Sequence, residues 1–349
     1  MTLLFILSWI LGLQPLHEAG YRGEGKTIAV IDCGFYGADS AAFFPQEQIV
    51  GIYDLVEDEL RQYDITAKPH DQHGSLCLST MLYRSDELTG TAPDANYILI
   101  RTEELDVENR HEVERLADGI RLADQLGADI ISISLGYSRF DNPEDTYTFE
   151  DLDGTNPAAL AATEAARHNR LVCIAAGNEG NKTDYKHITV PGDADSVLTV
   201  GAVNADSLPS SFTGYGPIAA DRPKPEIAAP GTNVSVFDPA MRVVRTGNGT
   251  SFATPEVAGM AACIWQALPH LTAMELREKI IQSAHLYPDH DNRIGYGIPN
   301  AWSVYEAART ETLTEQVSYI RQREKVLING NLYIIIDGVH YLPTGQKVR

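Results

Sequence analysis

An aspartate, a histidine and a serine, Asp32, His73 and Ser251, stand where a regular segment of this sequence meets a turn. Asp32 closes an apolar run and precedes Cys33 and Gly34; His73 with Gly74 opens a helical run; Ser251, delivered by Gly249 and Thr250, opens a long apolar stretch. A serine hydroxyl becomes an effective nucleophile when a base takes its proton and a buried carboxylate orients that base and stabilises its charge. This set could therefore perform acyl transfer through a covalent intermediate. A fourth segment runs from a buried strand into Gly177, Asn178, Glu179 and Gly180. An amide on such a turn suits a donor aimed at a developing oxyanion, and the backbone N–H of Ser251, at the positive end of its helix, would supply a second. Singly, each has an ordinary structural reading: Asp32 as a turn or cap residue, His73 as a helix-start histidine, Ser251 as a helix N-terminal residue behind a Thr250 cap, Asn178 as a left-handed turn residue. Their joint occurrence in the order Asp, His, Ser, each at an element boundary, favours the chemical reading.

The elements that must position these residues follow a regular alternation. Apolar runs rich in β-branched residues recur at 27–33, 96–101, 129–135, 171–176 and 197–203, with amphipathic helical stretches at 76–82, 113–126 and 157–168. Strand, helix, strand in repetition predicts right-handed crossovers and an α/β fold, a mostly parallel sheet with helices on both faces. Two further helices are predicted at 251–267 and 273–283, the second opened by a capping box of Thr272 and Glu275. In such sheets the chemistry gathers at the carboxyl ends of the strands, where Asp32, Ser134 and Ala175 to Asn178 all fall. The pattern predicts three parts: a catalytic domain over 1–309, a charged helical linker over 310–324, and a small β-meander over 325–349, punctuated by Asn329-Gly330, Asp337-Gly338 and Thr344-Gly345.

Composition narrows the partners. With 27 Lys and Arg against 48 Asp and Glu among 349 residues, the net charge of −21 argues against nucleic acid. The apolar run 3–13 is too short to span a bilayer, and reads either as the first packed segment of the domain or as a degenerate signal sequence. Cys33, Cys77, Cys173 and Cys263 are scattered singly without a CxxC pair, so they read as small buried hydrophobes and not as a zinc site or disulfide framework.

Taken together, these stretches resemble the subtilisin-like serine endopeptidases, the subtilases of peptidase family S8. The resemblance is carried by Ala29-Val-Ile-Asp32 with Gly34, His73-Gly74, Ser132-Ile-Ser134-Leu-Gly136, Ala175-Ala-Gly-Asn178-Glu-Gly180, Val200-Gly-Ala-Val203, Ala229-Pro-Gly231 and Gly249-Thr-Ser251-Phe-Ala-Thr-Pro255, and covers about residues 9–308. It implies a three-layer subtilisin-like fold, Asp32, His73 and Ser251 as the triad, and Asn178 as the oxyanion donor. It further implies that Ser134, Leu135 and Gly136 pair with the substrate backbone, that Ala175, Ala176 and Gly177 wall the S1 pocket, and that Thr189 lies near its base. A threonine there would make the pocket shallow and favour small or medium P1 side chains. Protein or peptide substrates, no cofactor for the chemistry and an extracellular or cell-envelope location are implied too, with the chain a monomer. Many relatives bind calcium, and the acidic stretch 144–153 is a candidate, although its spacing lacks the EF-hand pattern and also suits a solvated loop. Asp32 is preceded by 31 residues, too few for the prodomain of most secreted relatives.

Departures from the family pattern carry expectations of their own. Leu78 and Ser79 imply repacking behind His73; Tyr137, in place of a second glycine, is expected to narrow or cover the non-primed subsites; Glu256 stands where relatives often carry histidine, a change the residues do not explain. Cys33 and Cys77 flank the triad, as buried thiols or as a source of thiol sensitivity. With a histidine base of ordinary pKa, activity is expected to fall on acidification through about pH 6 to 7. The leading reading is an endopeptidase acting through an acyl-enzyme. The alternatives are a catalytically silent binding or adhesion module on the same fold, and a ligase passing the acyl group to an amine.

Overall fold

The computed structural model describes residues 10–56, 72–85, 88–104, 107–310, 323–336 and 339–348. The chain divides into two compact units, Met1–Trp302 and Ser303–Arg349. In the first, a short helix α1 (Gln14–Glu18) leads to β1 (Thr27–Asp32) and β2 (Ile49–Asp54). Then follow α2 (His73–Leu82), β3 (Asn96–Arg101), α3 (His111–Gln125), β4 (Ile130–Ile133), α4 (Pro157–Arg167), β5 (Leu171–Ala175), β6 (Leu198–Val203) and β7 (Ile227–Pro230). A hairpin of β8 (Val234–Asp238) and β9 (Val243–Gly247) precedes α5 (Thr250–Ala267) and α6 (Ala273–Gln282).

The seven strands β1 to β7 form one sheet in the order β2-β3-β1-β4-β5-β6-β7, every neighbouring pair parallel. The connections from β1 run first to one side of it and then to the other, so a topological switch falls between β1 and β4, the kind of crevice in which open α/β sheets bind ligands. Register brings the polar residues level: Ile31 pairs with Ile133, and Ile133 with Ile174. Asp32, Ser134 and Ala175 therefore emerge side by side at the carboxyl edge. One face of the sheet packs on α3 and α4 through a core that includes Ile31, Ile100, Leu116, Ile120, Ala162 and Ile174.

Helix α5 is buried from Thr250 through Trp265, with no polar face. A helix apolar all round belongs inside, and this one runs against the sheet with Ser251 at its mouth. Its start is tied to the end of β7, where Gly249 N donates to Gly231 O at 2.8 Å. The capping box expected at α6 is present, Glu275 N donating to Thr272 Oγ1 and Thr272 N to Glu275 Oε2.

The second unit contains a three-stranded antiparallel sheet of β10 (Arg323–Ile328), β11 (Asn331–Ile336) and β12 (Val339–Tyr341). Asn329 and Gly330, with φ of 52° and 79°, make the turn between the first two. A two-residue hairpin loop with positive φ at both positions matches the right-handed twist of its strands. Of the charged stretch expected as a helical linker, residues 311–322 lie outside the described residues, as do 1–9 and the Asp337-Gly338 turn. Among the described residues no helix is long and apolar enough to cross a membrane. Leu11 and Leu13 are fully buried, so the part of the N-terminal apolar run that is described belongs to the packed domain.

Candidate active site

The start of α2 is pressed against the end of β1 because residue 74 is glycine. A Cβ there would lie 2.5 Å from Gly34 O and 2.8 Å from Asp32 Cβ, and Gly74 N donates to that same carbonyl at 3.0 Å. This close approach sets the imidazole on the carboxylate: His73 Nδ1 donates to Asp32 Oδ1 at 2.7 Å, and Asp32 is fully buried. Cys33 N donates to the same oxygen at 2.9 Å, while Oδ2 has no hydrogen-bond partner among the described residues. One turn along α2, Cys77 supports the ring with Sγ 3.8 Å from Nδ1, and its thiol donates to Ser251 O at 3.3 Å. Behind the histidine, Leu78 is fully buried, and Ser79 Oγ accepts a hydrogen bond from Phe237 N on β8 at 2.9 Å.

Burial alone would pull the His73 pKa down, but the charge of Asp32 and its hydrogen bond outweigh that and hold the pKa well above the usual histidine value. The acid limb expected from a free imidazole is thus displaced upward. Burial and the neighbouring Asp32 charge push the Cys33 thiol up to about 12.

Ser251 is 7% exposed, and its Oγ donates to Ser134 O at 3.3 Å; among the described residues no hydrogen bond joins it to His73. Such bonds are often long before substrate binds, and rotation about χ1 redirects the hydroxyl. Ser134 Oγ in turn donates to Ser251 O at 2.8 Å, locking the serine's backbone to the strand edge. Asn178 is held by its oxygen, which accepts from Thr250 N at 2.9 Å and Thr250 Oγ1 at 3.1 Å, so its Nδ2 end faces the cleft. A Cβ on Gly249 would stand at ordinary contact distance from both donors, 3.6 Å from Ser251 N and 3.7 Å from Asn178 Nδ2, so this turn lies beside the space they flank.

His73, Ser134, Leu135, Gly136, Ala175, Gly177, Asn178, Thr189 and Ser251 line one cleft of about 310 Å³. Ala176 is fully buried behind the wall, its carbonyl accepting from Thr189 N at 3.1 Å. Thr189 is 2% exposed, and its Oγ1, without a hydrogen-bond partner among the described residues, lies between Gly136 and Gly177: a Cβ on either glycine would collide with it. Tyr137, 3% exposed and stacked on Phe140, lines the same cleft, next to Gly136.

Two cleft residues carried no signal in the motifs, Glu103 and Glu108. They follow β3 at the carboxyl edge, so the strand pattern itself could have flagged them. Desolvation, reinforced by the charges of Glu112, Asp32 and Glu108, pushes the Glu103 carboxyl up to about 8. The acidic stretch considered for calcium folds its carboxylates into local contacts. Asp151 accepts from Thr148 N, Asp153 from Thr155 N, and Asn142 Nδ2 donates to Asp145. All four cysteines are free and buried.

Glu256, also on α5, is 1% exposed with neither carboxylate oxygen hydrogen-bonded among the described residues, and burial holds its pKa well above the usual range. A raised carboxyl pKa contributes stability that is present below the unfolded value, about 4.3, and is lost as pH rises toward the folded one. Glu256→Met is therefore expected to stabilise the chain by about 1–3 kcal/mol, the cost of an unsatisfied buried polar group. The gain should grow between about pH 5 and 8; denaturant midpoints at both pH values measure it.

The subtilase family model matches residues 23–297, more than half of the chain and all of the elements that build the site. The chain belongs to the subtilase family. Subtilases are serine endopeptidases, and their substrates are proteins. Among curated relatives, the serine protease AprX of Bacillus subtilis is 31% identical over 313 residues, covering 80% of this chain and 66% of AprX. Subtilisin DY of Bacillus licheniformis is 29% identical over 271 residues, 78% of this chain and 88% of that protein. Among solved structures, MycP1 from the ESX-1 type VII secretion system superposes with a TM-score of 0.66 at 22% identity, covering 86% of this chain and 85% of that one. At that identity the likeness speaks to the fold alone, and the seven-stranded parallel sheet agrees with it.

Proposed function

We propose that this subtilase cuts peptide bonds through an acyl-enzyme in which Ser251 attacks the carbonyl, His73 takes the hydroxyl proton and returns it to the leaving amine, and Asp32 fixes and charge-stabilises the imidazolium. Asn178 Nδ2 and Ser251 N bind the oxyanion. The observation that carries this reading is the 2.7 Å bond from His73 to a fully buried Asp32 on the rim that Ser251 shares. A fluorophosphonate probe tests it: label recovered on Ser251 by mass spectrometry, and absent from a Ser251→Ala control, is the expected result. A folded chain that takes no label would favour the silent binding module.

Removal of the oxyanion donor by Asn178→Ala is expected to lower kcat by about 10²–10³-fold with little change in KM, a magnitude known for the matching residue of subtilisin. The donor acts on charge that develops only in the transition state. Steady-state kinetics with one peptide substrate checks it.

Substrate would lie extended along Ser134, Leu135 and Gly136, adding a strand to that edge, with its P1 side chain between Gly136 and Gly177. Thr189 fills the floor there, which favours alanine-sized P1 groups. Thr189→Gly is expected to raise kcat/KM for phenylalanine at P1 over alanine by at least about 10-fold, since each methylene accommodated is worth about 1–3 kcal/mol; matched peptide substrates measure it. We also assign the protein to the cell exterior or envelope, working as a monomer. Detection of the chain in culture medium or envelope fractions tests the location.

A further inference from the structure

The His73–Asp32 pair lies against a thiol that the chemistry above does not use. Cys33 directly follows Asp32, is 4% exposed and lines the same cleft as His73 and Ser251. One carboxylate oxygen of Asp32, Cys33 Sγ and a ring nitrogen of His73 all lie within 4.8 Å of one another, the only such cluster of three potential metal ligands among the described residues. The set is also incomplete as it stands. Asp32 Oδ1 is engaged by His73 Nδ1 and Cys33 N, whereas Oδ2, fully buried, accepts from no donor among the described residues. A thiol is too weak a donor to satisfy a carboxylate, and an unsatisfied buried oxygen is costly. A cation would meet that need.

The donor types decide which cation. Carboxylate oxygen, imidazole nitrogen and thiolate sulfur together form a borderline-soft set of the kind that holds zinc and rejects calcium or magnesium. Around a tetrahedral zinc, with bonds of about 2.0–2.3 Å, such donors stand about 3.3–3.8 Å apart, within reach of this cluster by small side-chain rotations. Three protein ligands leave the fourth position to water from the cleft.

We propose that Asp32, Cys33 and His73 form an inhibitory zinc site, at which Zn²⁺ held by Asp32 Oδ2, Cys33 Sγ and the His73 imidazole switches proteolysis off. On binding, the thiol's S–H bond breaks and an S–Zn bond forms, and the His73 ring nitrogen that takes the ion gives up any proton it carries as the N–Zn bond forms; the protons pass to solvent and no electrons change hands. With a ring nitrogen and the carboxylate committed to the ion, His73 cannot accept the Ser251 proton and Asp32 no longer orients it. The inhibitory effect rests on the proteolytic reading above; the metal binding does not.

The two are separated by measuring binding and activity on the full chain. Co²⁺ added in place of zinc is expected to give a near-ultraviolet thiolate-to-cobalt charge-transfer band in the wild type and in Ser251→Ala, and none in Cys33→Ala. Buffered Zn²⁺ is expected to inhibit peptide cleavage, with recovery on adding EDTA. Cys33→Ala should weaken that inhibition by at least about 100-fold, since loss of a group that merely supports a ligand already costs about 10–100-fold. Each variant's own zinc-free rate is the reference. Cys33→Ser, closer in size, repeats the measurement should the alanine variant fold poorly, and Cys77→Ala should leave both the band and the inhibition in place. A wild-type chain without the band, or a band and inhibition that survive in Cys33→Ala or vanish only in Cys77→Ala, would overturn the site. A band on a chain that cleaves no peptide would retain the site and reject the proteolytic reading.

Discussion

Replacing Ser251 with alanine is expected to lower kcat by about 10⁶-fold, a magnitude carried over from subtilisin, while KM and the fold change little. The structure gives the reason for both halves. Oγ makes one hydrogen bond, 3.3 Å to Ser134 O, so its loss leaves no costly buried partner: a carbonyl keeps a second lone pair, and the neighbouring Ser134 Oγ bond to Ser251 O is untouched. The clamp of Asn178 on Thr250 and the backbone N–H at residue 251 also remain, so the binding edge and the oxyanion donors persist. Residual catalysis of about 10³–10⁴ over water should therefore survive. Initial rates set against thermal midpoints of both proteins measure the effect. A variant that kept one per cent of its activity would remove Ser251 from the role of nucleophile.

The parts of this site that could be read in the sequence are those set by local pattern. Asp32, Ser134 and Ala175 each end an apolar run of β-branched residues, so their common edge follows from a parallel sheet before any coordinates are known. His73 was readable because a glycine follows it, and the close approach at Gly74 explains that glycine. What escaped depends on tertiary contact. Strand β2 is largely half-exposed at the sheet's edge and has no continuous apolar run, and β7 is four residues, Ile227–Pro230, ending in a proline that reads as a break. The stacking of Tyr137 on Phe140 is likewise set by the core around it, which no local spacing reports. The fixing of Asn178 by Thr250 spans 72 residues of sequence, and no spacing rule reports it. The orphan oxygens of Asp32 and Glu256 are equally invisible in a sequence, being statements about what lies around a group and not about the group.

Asp32→Asn is the second large effect, an expected loss of about 10⁴-fold in kcat, and it carries a pH signature that a merely structural role would not produce. An amide at 32 can donate to His73 Nδ1, which favours the tautomer unable to accept the serine proton at Nε2. The same change removes the negative charge that holds the His73 pKa well above its usual value, leaving desolvation to pull it down. The base must be neutral to work, so a raised pKa keeps it protonated to higher pH: in the wild type kcat/KM should climb only as pH passes above about 6.5. In the variant the acid limb of the residual activity should fall below that value. Stability follows the opposite course. A histidine whose folded pKa is raised contributes stability that is fully present below its unfolded pKa, about 6.5, and lost as pH rises through the folded value. The denaturant midpoint of Asp32→Asn should therefore lie furthest below that of the wild type near pH 6 and approach it as pH rises through the folded His73 value. Superimposable pH profiles for the two proteins would mean that Asp32 does not govern the charge of His73, and that the 2.7 Å contact only shapes the fold.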